Sequence, residues 1–159
     1  MTTIAYRDGL MACDSQVTTG ETKYAKAKKI RKLADGSLIG VSGNWAAAYR
    51  LMMGVRDDGT VTPSLLASCK GADGLLIRPD NSMWMIECGA RGGLVPITGP
   101  FRADGSGFAV ALAAMMGGAT ADRAVAIACE LDVNSSLPIY TERLGGPVKL
   151  KKPKGRKAK

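Results

Sequence analysis

The second residue of the chain carries both groups that a self-contained acyl-transfer site needs. Thr2 follows Met1, and methionine is normally removed from a new chain when a small residue follows it. The exposed threonine would offer a hydroxyl as nucleophile and an α-amine, whose pKa of about 7.7–8.0 suits a proton acceptor near neutral pH. A threonine in second place is common, so this position alone is weak support for catalysis.

Histidine is absent from the chain, which narrows the chemistry that it can perform. Ser-His-Asp and Cys-His mechanisms are excluded, and most zinc and iron sites, which rely on imidazole, are disfavoured. The base would have to be a lysine, a carboxylate or an α-amine. The cysteines, Cys13, Cys69, Cys88 and Cys129, form no CxxC pair, which predicts reduced thiols with a structural role.

The positive charge is concentrated at one end of the chain. The net charge is +8 over 159 residues, and residues 149–159 contain seven lysines and arginines without an acid. Residues 1–146 are therefore predicted to form one nearly neutral domain, and residues 147–159 a basic, disordered tail. No stretch approaches about 18 consecutive apolar residues, and no signal peptide pattern follows Met1, so we expect a cytoplasmic protein with no membrane partner.

The elements that would position these groups follow from hydrophobic periodicity and turn residues. Asp8-Gly9 and Asp35-Gly36 are typical two-residue hairpin turns. The predicted strands are residues 2–7, 10–14, 23–32, 38–41, 94–97 and 138–142, with a further hairpin over 74–86. The predicted helices are residues 45–53, 108–116 and 120–131, with a short helix after Pro63, while 16–20 and much of 89–105 are predicted to be irregular.

Several short segments occur in an order that is typical of one protein family. The chain reads Thr-Thr-Ile from residue 2, Cys-Asp-Ser-Gln-Val-Thr from residue 13 and Lys-Lys-Ile-Arg-Lys-Leu from residue 28. It continues with Ile-Gly-Val-Ser-Gly from residue 39, Asp-Gly-Ser-Gly from residue 104, Leu-Asp from residue 131 and Ile-Tyr-Thr from residue 139. Together these segments resemble proteasome β-subunit-type peptidases, which are N-terminal-nucleophile (Ntn) hydrolases, and most of all the bacterial HslV-type threonine peptidases. No single segment is specific, but their order is.

The resemblance implies a fold, an activity and partners. The fold would be α+β, a four-layer αββα Ntn-hydrolase sandwich in which two antiparallel sheets lie between helical layers, and the element order permits it. The activity would be that of a threonine-type endopeptidase acting on peptides or unfolded proteins. The implied partners are further copies of the chain in a homo-oligomeric ring and an AAA+ ATPase unfoldase.

The resemblance also implies a catalytic set. Thr2 would attack the scissile carbonyl and its α-amine would carry the proton. Lys29 would lie beside the hydroxyl and favour its deprotonation, while Asp14 would pair with Lys29. Ser106 would help to organise the proton relay at the amine, and the backbone N–H of Gly43 would stabilise the oxyanion.

Each of these residues also has a plainer interpretation. Asp14 and Gly43 could be turn residues, Ser106 could cap the helix that follows it, and Lys29 could belong to a solvated basic face. The catalytic role for Lys29 is favoured because it shares a face of the predicted strand with Ala25, Ala27 and Arg31.

The implied substrate contacts form two groups. Thr18 would hydrogen-bond the backbone of an extended substrate that adds as a strand. Val17, Ala27, Val41 and Trp45 would line the pocket for a substrate side chain, although Trp45 could equally be an ordinary core residue. No cofactor is implied as a requirement.

The chain departs from the family pattern in several places. Its first hairpin is shorter by two residues in each arm, which preserves the face of every side chain, and residues 55–74 are much shorter than the usual second helix. Ser15 and Ser135 replace glycines. A monovalent cation such as Na⁺ would bind through the backbone carbonyls of Ser135, Pro138 and Thr141. These departures and the tail indicate a phage or otherwise divergent branch.

Two other classes of function stay open at this stage. The chain could be a catalytically silent ring or scaffold subunit of the same fold, or an assembly or nucleic-acid-binding protein that acts through its basic tail. The set of Thr2, Asp14, Lys29 and Ser106 favours the enzyme over the scaffold. The nearly neutral body disfavours nucleic-acid binding outside the tail.

Overall fold

Eleven strands and four helices occupy the part of the chain that the computed structural model describes, residues 2–19 and 22–145. The strands are β1 (Thr3–Arg7), β2 (Leu10–Cys13), β3 (Gln16–Thr19), β4 (Thr22–Lys26), β5 (Ile30–Lys32), β6 (Leu38–Gly43), β7 (Ala72–Ile77), β8 (Met83–Glu87), β9 (Gly93–Ile97), β10 (Phe101–Gly105) and β11 (Tyr140–Arg143). The helices are α1 (Trp45–Gly54), α2 (Pro63–Ser68), α3 (Phe108–Met116) and α4 (Ala121–Leu131). The predicted tail at 147–159 and the predicted removal of Met1 lie outside the described residues.

All the strand pairs are antiparallel, and they form two main sheets and one small one. The four-stranded sheet has the order β10-β1-β2-β11, and the five-stranded sheet has the order β5-β6-β7-β8-β9. Strands β3 and β4 form a separate two-stranded ribbon. The described chain is therefore a mixed α and β structure with antiparallel sheets, in agreement with the predicted class.

The first hairpin has the turn that its sequence predicts. Asp8 and Gly9 have φ angles of 49° and 76°, and Arg7 pairs with Leu10 across them. Two positive φ angles in succession match the right-handed twist of the strands, and Asp-Gly tolerates them better than most pairs. This tight turn sets the register of β1 against β2, in which Ile4 lies opposite Cys13.

Three apolar clusters hold the elements together. The first lies between the two main sheets: Ile4, Tyr6, Met11, Cys13, Ile30, Leu38, Leu75, Ile77 and Met83. The second joins the five-stranded sheet to α1 and α2, and its members include Ile39, Val41, Ala48, Leu51, Leu66, Leu76 and Ile86. The third joins the four-stranded sheet to α3 and α4: Ala5, Ala12, Ala103, Ala111, Met115, Ala121, Ala124 and Val125.

Three segments differ from the sequence prediction. The predicted loop at 16–20 contains β3, and the predicted strand at 23–32 is divided into β4 and β5, which pair with different partners. Within the glycine-rich region 89–105, β10 pairs with β1 along its whole length. Strand β10 is a strand because it pairs with the distant β1, while the short, polar ribbon of β3 and β4 carries little periodic signal of its own.

Helix α1 begins and ends through specific hydrogen bonds. Asn44 caps its start, since its side-chain oxygen accepts from the backbone N–H of Ala47 at 3.2 Å. At its other end the guanidinium of Arg31 donates to the carbonyl oxygens of Met52 and Val55, at 3.1 and 3.0 Å. The cation offsets the negative end of the helix dipole there. The guanidinium of Arg31 is therefore occupied by hydrogen bonds at the C-terminal end of α1.

Candidate active site

A small cavity of about 100 Å³ brings together residues that lie far apart in the sequence. Strand β3, the segment before β5 and the start of α1 all contribute to it. Its lining residues are Thr2, Gln16, Val17, Thr18, Lys29, Gly43, Asn44, Trp45 and Ala48. Six of these residues are in the set predicted from the sequence, while Gln16, Asn44 and Ala48 are additions from the structure.

A buried ion pair adjoins this cavity. Nζ of Lys29 lies 2.8 Å from Oδ1 of Asp14, and the two side chains are 1% and 0% exposed. The same carboxylate accepts from the backbone N–H groups of Thr3 at 2.9 Å and Gln16 at 2.8 Å, and of Ser136 at 3.3 Å. Asp14 is therefore a convergence point of four donors and not a turn residue, as expected for a buried carboxyl group, whose oxygens must be hydrogen-bonded.

The local backbone turns Lys29 inward and leaves Lys28 outside. The residues at 27–29 belong to neither β4 nor β5, and Ala27 is fixed there by a backbone hydrogen bond to the carbonyl of Ser15 at 2.8 Å. Lys28 forms an ion pair with Glu142 on the surface. Lys29 is therefore positioned by the junction between two strands and not, as predicted, by one continuous strand.

A thiol lies beside the ion pair but does not compete with it chemically. Cys13 accepts from the backbone N–H of Lys29 at 3.4 Å, and burial raises the pKa of its thiol to about 11. A thiol with that pKa stays protonated near neutral pH and is neither a good base nor a good nucleophile. The described cysteines are all free thiols, in line with the prediction from the sequence.

The end of β10 holds Thr2 in place. Thr2 is 4% exposed. Gly105, at φ +90°, approaches it so closely that a Cβ there would lie 2.0 Å from the Thr2 carbonyl oxygen. A side chain at this position would displace Thr2, so glycine is required by both space and backbone conformation. Ser106, the next residue, places its hydroxyl 3.3 Å from the same carbonyl.

The hydroxyl of Ser106 contacts the carboxylate of Asp132, which the sequence prediction missed. This hydroxyl lies 2.7 Å from Oδ2 of Asp132, and the hydroxyl of Ser135 donates to the same oxygen at 2.8 Å. Ser135 in turn lies 2.7 Å from Oγ1 of Thr3. The Leu-Asp segment at 131–132 was the available signal, although nothing in the sequence joined it to Ser106. The structure supplies that link, and the hydroxyl of Ser106 makes no capping bond to α3.

The charge of Asp132 is stabilised by these contacts. Burial raises the pKa of its carboxyl, but hydrogen bonds from Ser106, Ser135 and Asn134 outweigh burial and hold the pKa below its usual value. Asp132 is therefore an anion at neutral pH. The Ser106 hydroxyl has one proton to donate, and its contact with Asp132, at 2.7 Å, is shorter than its contact with the Thr2 carbonyl oxygen, at 3.3 Å.

The opposite wall of the cavity is the junction of β6 and α1. Gly43 has φ +92°, and a Cβ there would lie 2.3 Å from the carbonyl oxygen of Gly71. That carbonyl accepts from the backbone N–H of Asn44 at 2.8 Å. Only glycine fits this junction, which leaves backbone in place of a side chain at the cavity wall. The start of α1 adds the positive end of a helix dipole, which favours negative charge.

The predicted substrate contacts divide into two sets. Val17, Thr18 and Trp45 line the cavity with Thr2. Val41 does not, because it is fully buried in the cluster beneath α1, and Ala27 also lies outside the cavity lining. Trp45 is half-buried and packs against Tyr49, with ring centroids 5.7 Å apart.

The residues predicted to bind a monovalent cation occupy different settings. Ser135 is buried and its hydroxyl belongs to the Asp132 network. Pro138 follows a cis peptide bond, and Thr141 pairs with Ala12 at the edge of the four-stranded sheet. Binding of a cation through their backbone carbonyls stays a prediction.

Within 2–19 and 22–145, no cluster of three or more histidine, cysteine, aspartate or glutamate side chains could hold a metal ion. No helix in this part of the chain is both long enough and apolar enough to cross a membrane.

The fold is that of HslV- and proteasome-type proteins. Thiobacillus denitrificans BPH has a TM-score of 0.66 and 20% identity, and 91% of this chain covers 98% of that one. The same protein in complex with epoxomicin gives 0.64 and 19%, with the same coverage. Eukaryotic HslV from Trypanosoma brucei gives 0.64 and 22%, with 89% of this chain covering 97% of that one. No protein-family model and no curated protein matches the sequence.

Proposed function

We propose that this protein is a threonine-type endopeptidase of the proteasome-like kind, in which Thr2 becomes the nucleophile when Met1 is removed. The observation that carries the proposal is the buried ion pair of Asp14 and Lys29 beside the cavity that Thr2 lines. A lysine ammonium at this depth contributes little to folding beyond what apolar side chains would give. Its place in the same cavity lining as Thr2 suits the activation of a nucleophile.

The reaction would proceed in two acyl-transfer steps. The hydroxyl oxygen of Thr2 attacks the scissile carbonyl carbon while its proton passes to the α-amine. The tetrahedral oxyanion accepts from the backbone N–H of Gly43, near the positive end of α1. Collapse breaks the peptide C–N bond, and the proton moves from the α-ammonium to the leaving amine. Water then hydrolyses the ester at Thr2, with the same amine taking and returning a proton.

The surrounding charged groups would support these proton transfers. The Lys29 ammonium stabilises negative charge that develops on the hydroxyl oxygen of Thr2, and Asp14 keeps the ammonium oriented. On the other side, Asp132 holds the Ser106 hydroxyl so that its oxygen can accept from the α-ammonium of Thr2. The amine is thereby oriented for the return of its proton.

The substrate would bind as an added strand. Thr18, in β3, hydrogen-bonds the peptide backbone, while a substrate side chain enters the cavity beside Val17 and Trp45. The cavity volume of about 100 Å³ favours a small or medium-sized side chain. A neutral side chain fits better than a charged one, because the one lysine in the cavity lining is already paired with Asp14.

The order in which the sheets and helices are layered is part of the same proposal. The order of layers would be α1 and α2, the five-stranded sheet, the four-stranded sheet, and α3 and α4, as in a four-layer Ntn-hydrolase sandwich. The three apolar clusters support it, since each joins one neighbouring pair of layers. The monovalent cation near Ser135 would brace the loop that carries the Asp132 network.

We further propose that the protein works as a homo-oligomeric ring in the cytoplasm, served by an ATPase unfoldase. Helix α3 has no polar side chain, and its Phe108 and Met116 are 49% and 78% exposed. Exposed apolar faces of this kind mark interaction sites in stable proteins. Light scattering is expected to give the mass of a closed ring or of stacked rings, and a stable, active monomer would contradict the ring.

The proposed activity is tested by mass spectrometry and peptide turnover together. The native protein is expected to lack one methionine, to cleave a short fluorogenic peptide, and to gain the mass of epoxomicin, the molecule present in one BPH structure. Thr2→Ala, which removes the hydroxyl but little packing, is expected to assemble normally, to cleave nothing and to remain unlabelled. Activity in a chain that retains Met1, or in Thr2→Ala, would refute the mechanism.

A further inference from the structure

Two further cavities are linked to the proposed catalytic cavity through shared lining residues. Gln16 lines that cavity and also a second one of about 230 Å³, whose other lining residues include Lys23 and Lys26. These two lysines and Ser136 are shared in turn with a third cavity of about 620 Å³. The last two cavities together form what we call the basic groove, and Gln16 connects it to the cavity that contains Thr2.

The basic groove has an excess of positive charge. Its described charged side chains are Lys23, Lys26, Arg123 and Glu130, and all four are exposed. Among the described residues, none of these four takes part in a salt bridge. Cys129 in the same lining stays neutral near pH 7, because burial raises the pKa of its thiol to about 11. The groove therefore presents three cations against one carboxylate.

The junction between cavity and groove holds an unsatisfied acceptor. Gln16 is 2% exposed, and its Nε2 donates to the carbonyl oxygen of Val133 at 3.2 Å and to Oγ1 of Thr18 at 3.0 Å. A carbonyl oxygen can only accept, so this contact fixes which end of the amide is nitrogen. Oε1 of Gln16 is then the one buried side-chain polar atom without a partner in the described structure. Gln16 therefore keeps an unused hydrogen-bond acceptor at this junction.

From these observations we propose that the basic groove binds the distal part of a peptide substrate and selects acidic residues there. The inference rests on the proposed peptidase function, which it deepens by naming a substrate class. An extended peptide that is anchored at Thr2 and passes Gln16 places later residues between Lys23, Lys26 and Arg123. The chain's own basic tail does not fit this role, since residues 149–159 carry the same sign of charge.

The test compares matched peptides on the full, assembled protein. Each fluorogenic peptide has one scissile bond and one variable pair of residues, which is Glu-Glu, Gln-Gln or Lys-Lys. This pair is moved in turn to successive positions before and after the scissile bond. At one pair of positions remote from the scissile bond, kcat/KM is expected to be about tenfold higher for Glu-Glu than for Gln-Gln. At the same positions, kcat/KM for Lys-Lys should be lower than for Gln-Gln. The difference should lie in KM, because the contact is remote from the reacting atoms, and should shrink with added salt.

Variants identify the source of the selectivity. Lys23→Gln with Lys26→Gln is expected to abolish the preference while leaving turnover of the Gln-Gln peptide unchanged, and Glu130→Gln is expected to increase it. Arg78→Gln with Arg91→Gln, which removes two exposed cations at turns of the five-stranded sheet, is the matched control and should change nothing. Anisotropy of the labelled Glu-Glu peptide on Thr2→Ala measures the same selectivity without catalysis.

The outcomes separate the two proposals. Turnover of all peptides without any acidic preference would overturn the groove assignment and leave the peptidase intact. Absence of turnover by the processed protein, with selective binding of the Glu-Glu peptide retained, would refute the peptidase and keep the groove as a peptide-binding surface. Loss of ring assembly in the lysine variant would assign the groove to a neighbouring subunit and overturn the proposal.

Discussion

Lys28 and Lys29 are neighbours in the chain, but they belong to two physically different regions. Lys28 pairs with Glu142 at the surface, where the two side chains are 43% and 25% exposed. Lys29 pairs with Asp14 in the interior, where both are essentially inaccessible. Water screens the first pair, so it contributes little. The second has no such screening, and its charges must be satisfied by each other and by fixed donors.

The comparison teaches that a run of basic residues has no uniform role. One backbone junction, between β4 and β5, turns one lysine to the solvent and the next toward Thr2. The same charge is therefore a minor surface feature at one position and the centre of the proposed chemistry at the other. Five predictions test the proposed site and the charges outside it, in order of decreasing effect.

The largest effect is expected from Lys29→Ala. Loss of the ammonium leaves Asp14 buried without its cation, so activity should fall by about a hundredfold to a thousandfold or more. Unfolding free energy should fall by about 3–5 kcal/mol. Peptide turnover and urea denaturation measure the two effects. A variant with more than a tenth of normal activity would show that Lys29 is not the activating group.

The double variant Lys29→Met with Asp14→Asn separates folding from catalysis. It removes both charges but keeps a side-chain oxygen at residue 14 for the backbone donors. Much of the lost stability should therefore return while activity stays absent. Recovery of activity with stability would mean that the ion pair matters only for folding.

An intermediate effect is expected from Asp132→Asn. The amide keeps the shape but weakens the hold on Ser106, so turnover should fall by about tenfold to a hundredfold, mainly in kcat. The folded pKa of Asp132 is below its unfolded value, so its ionisation stabilises the fold above about pH 4. That contribution is lost as the pH falls through the folded pKa.

The stability difference between the native protein and Asp132→Asn should accordingly be constant from neutral pH down to about pH 4 and then shrink. Denaturant midpoints measured from pH 7 to pH 3 provide the check. Asn134→Ala, which removes a more peripheral contact to the same carboxylate, is the matched control. A stability difference that grows on acidification would contradict the assigned direction of the pKa shift.

A small effect is expected from Lys28→Ala. The exposed pair with Glu142 should contribute less than about 1 kcal/mol, and activity should stay within about twofold of the native value. Thermal unfolding and peptide turnover, measured beside Lys29→Ala, give the comparison directly. Equal losses in the two variants would show that the inward and outward assignments are wrong.

The smallest effect on catalysis is expected from removal of the tail. A chain that ends at Gly146 keeps every proposed catalytic residue, so hydrolysis of a short peptide should be unchanged at equal ring concentration. Salt-sensitive binding to an acidic partner or to nucleic acid should be lost instead. A large drop in turnover with rings intact would place the tail in the active site.

The features that depend on residues close together in the chain were the ones best predicted from the sequence. The Asp8-Gly9 hairpin, the start of α1 at Asn44 and the apolar helix α3 all depend on local residues, and all three were predicted. Strands β10 and β3 were missed, and β4 and β5 were predicted as one continuous strand. Strand β10 pairs with the distant β1, and β3 is a short, polar strand that pairs with β4, so the residues of both carry little periodic signal.

The sequence by itself determined a chemical repertoire: a threonine next to Met1, no histidine, and an ordered set of segments containing Asp14, Lys29, Gly43 and Ser106. Those facts depend only on residue types and their order. Tertiary structure alone decided that Val41 belongs to the core, that Asp132 reaches Ser106, and that Gln16 joins the cavity to a basic groove. These outcomes depend on how the sheets and helices pack, because packing brings side chains distant in sequence within hydrogen-bonding distance.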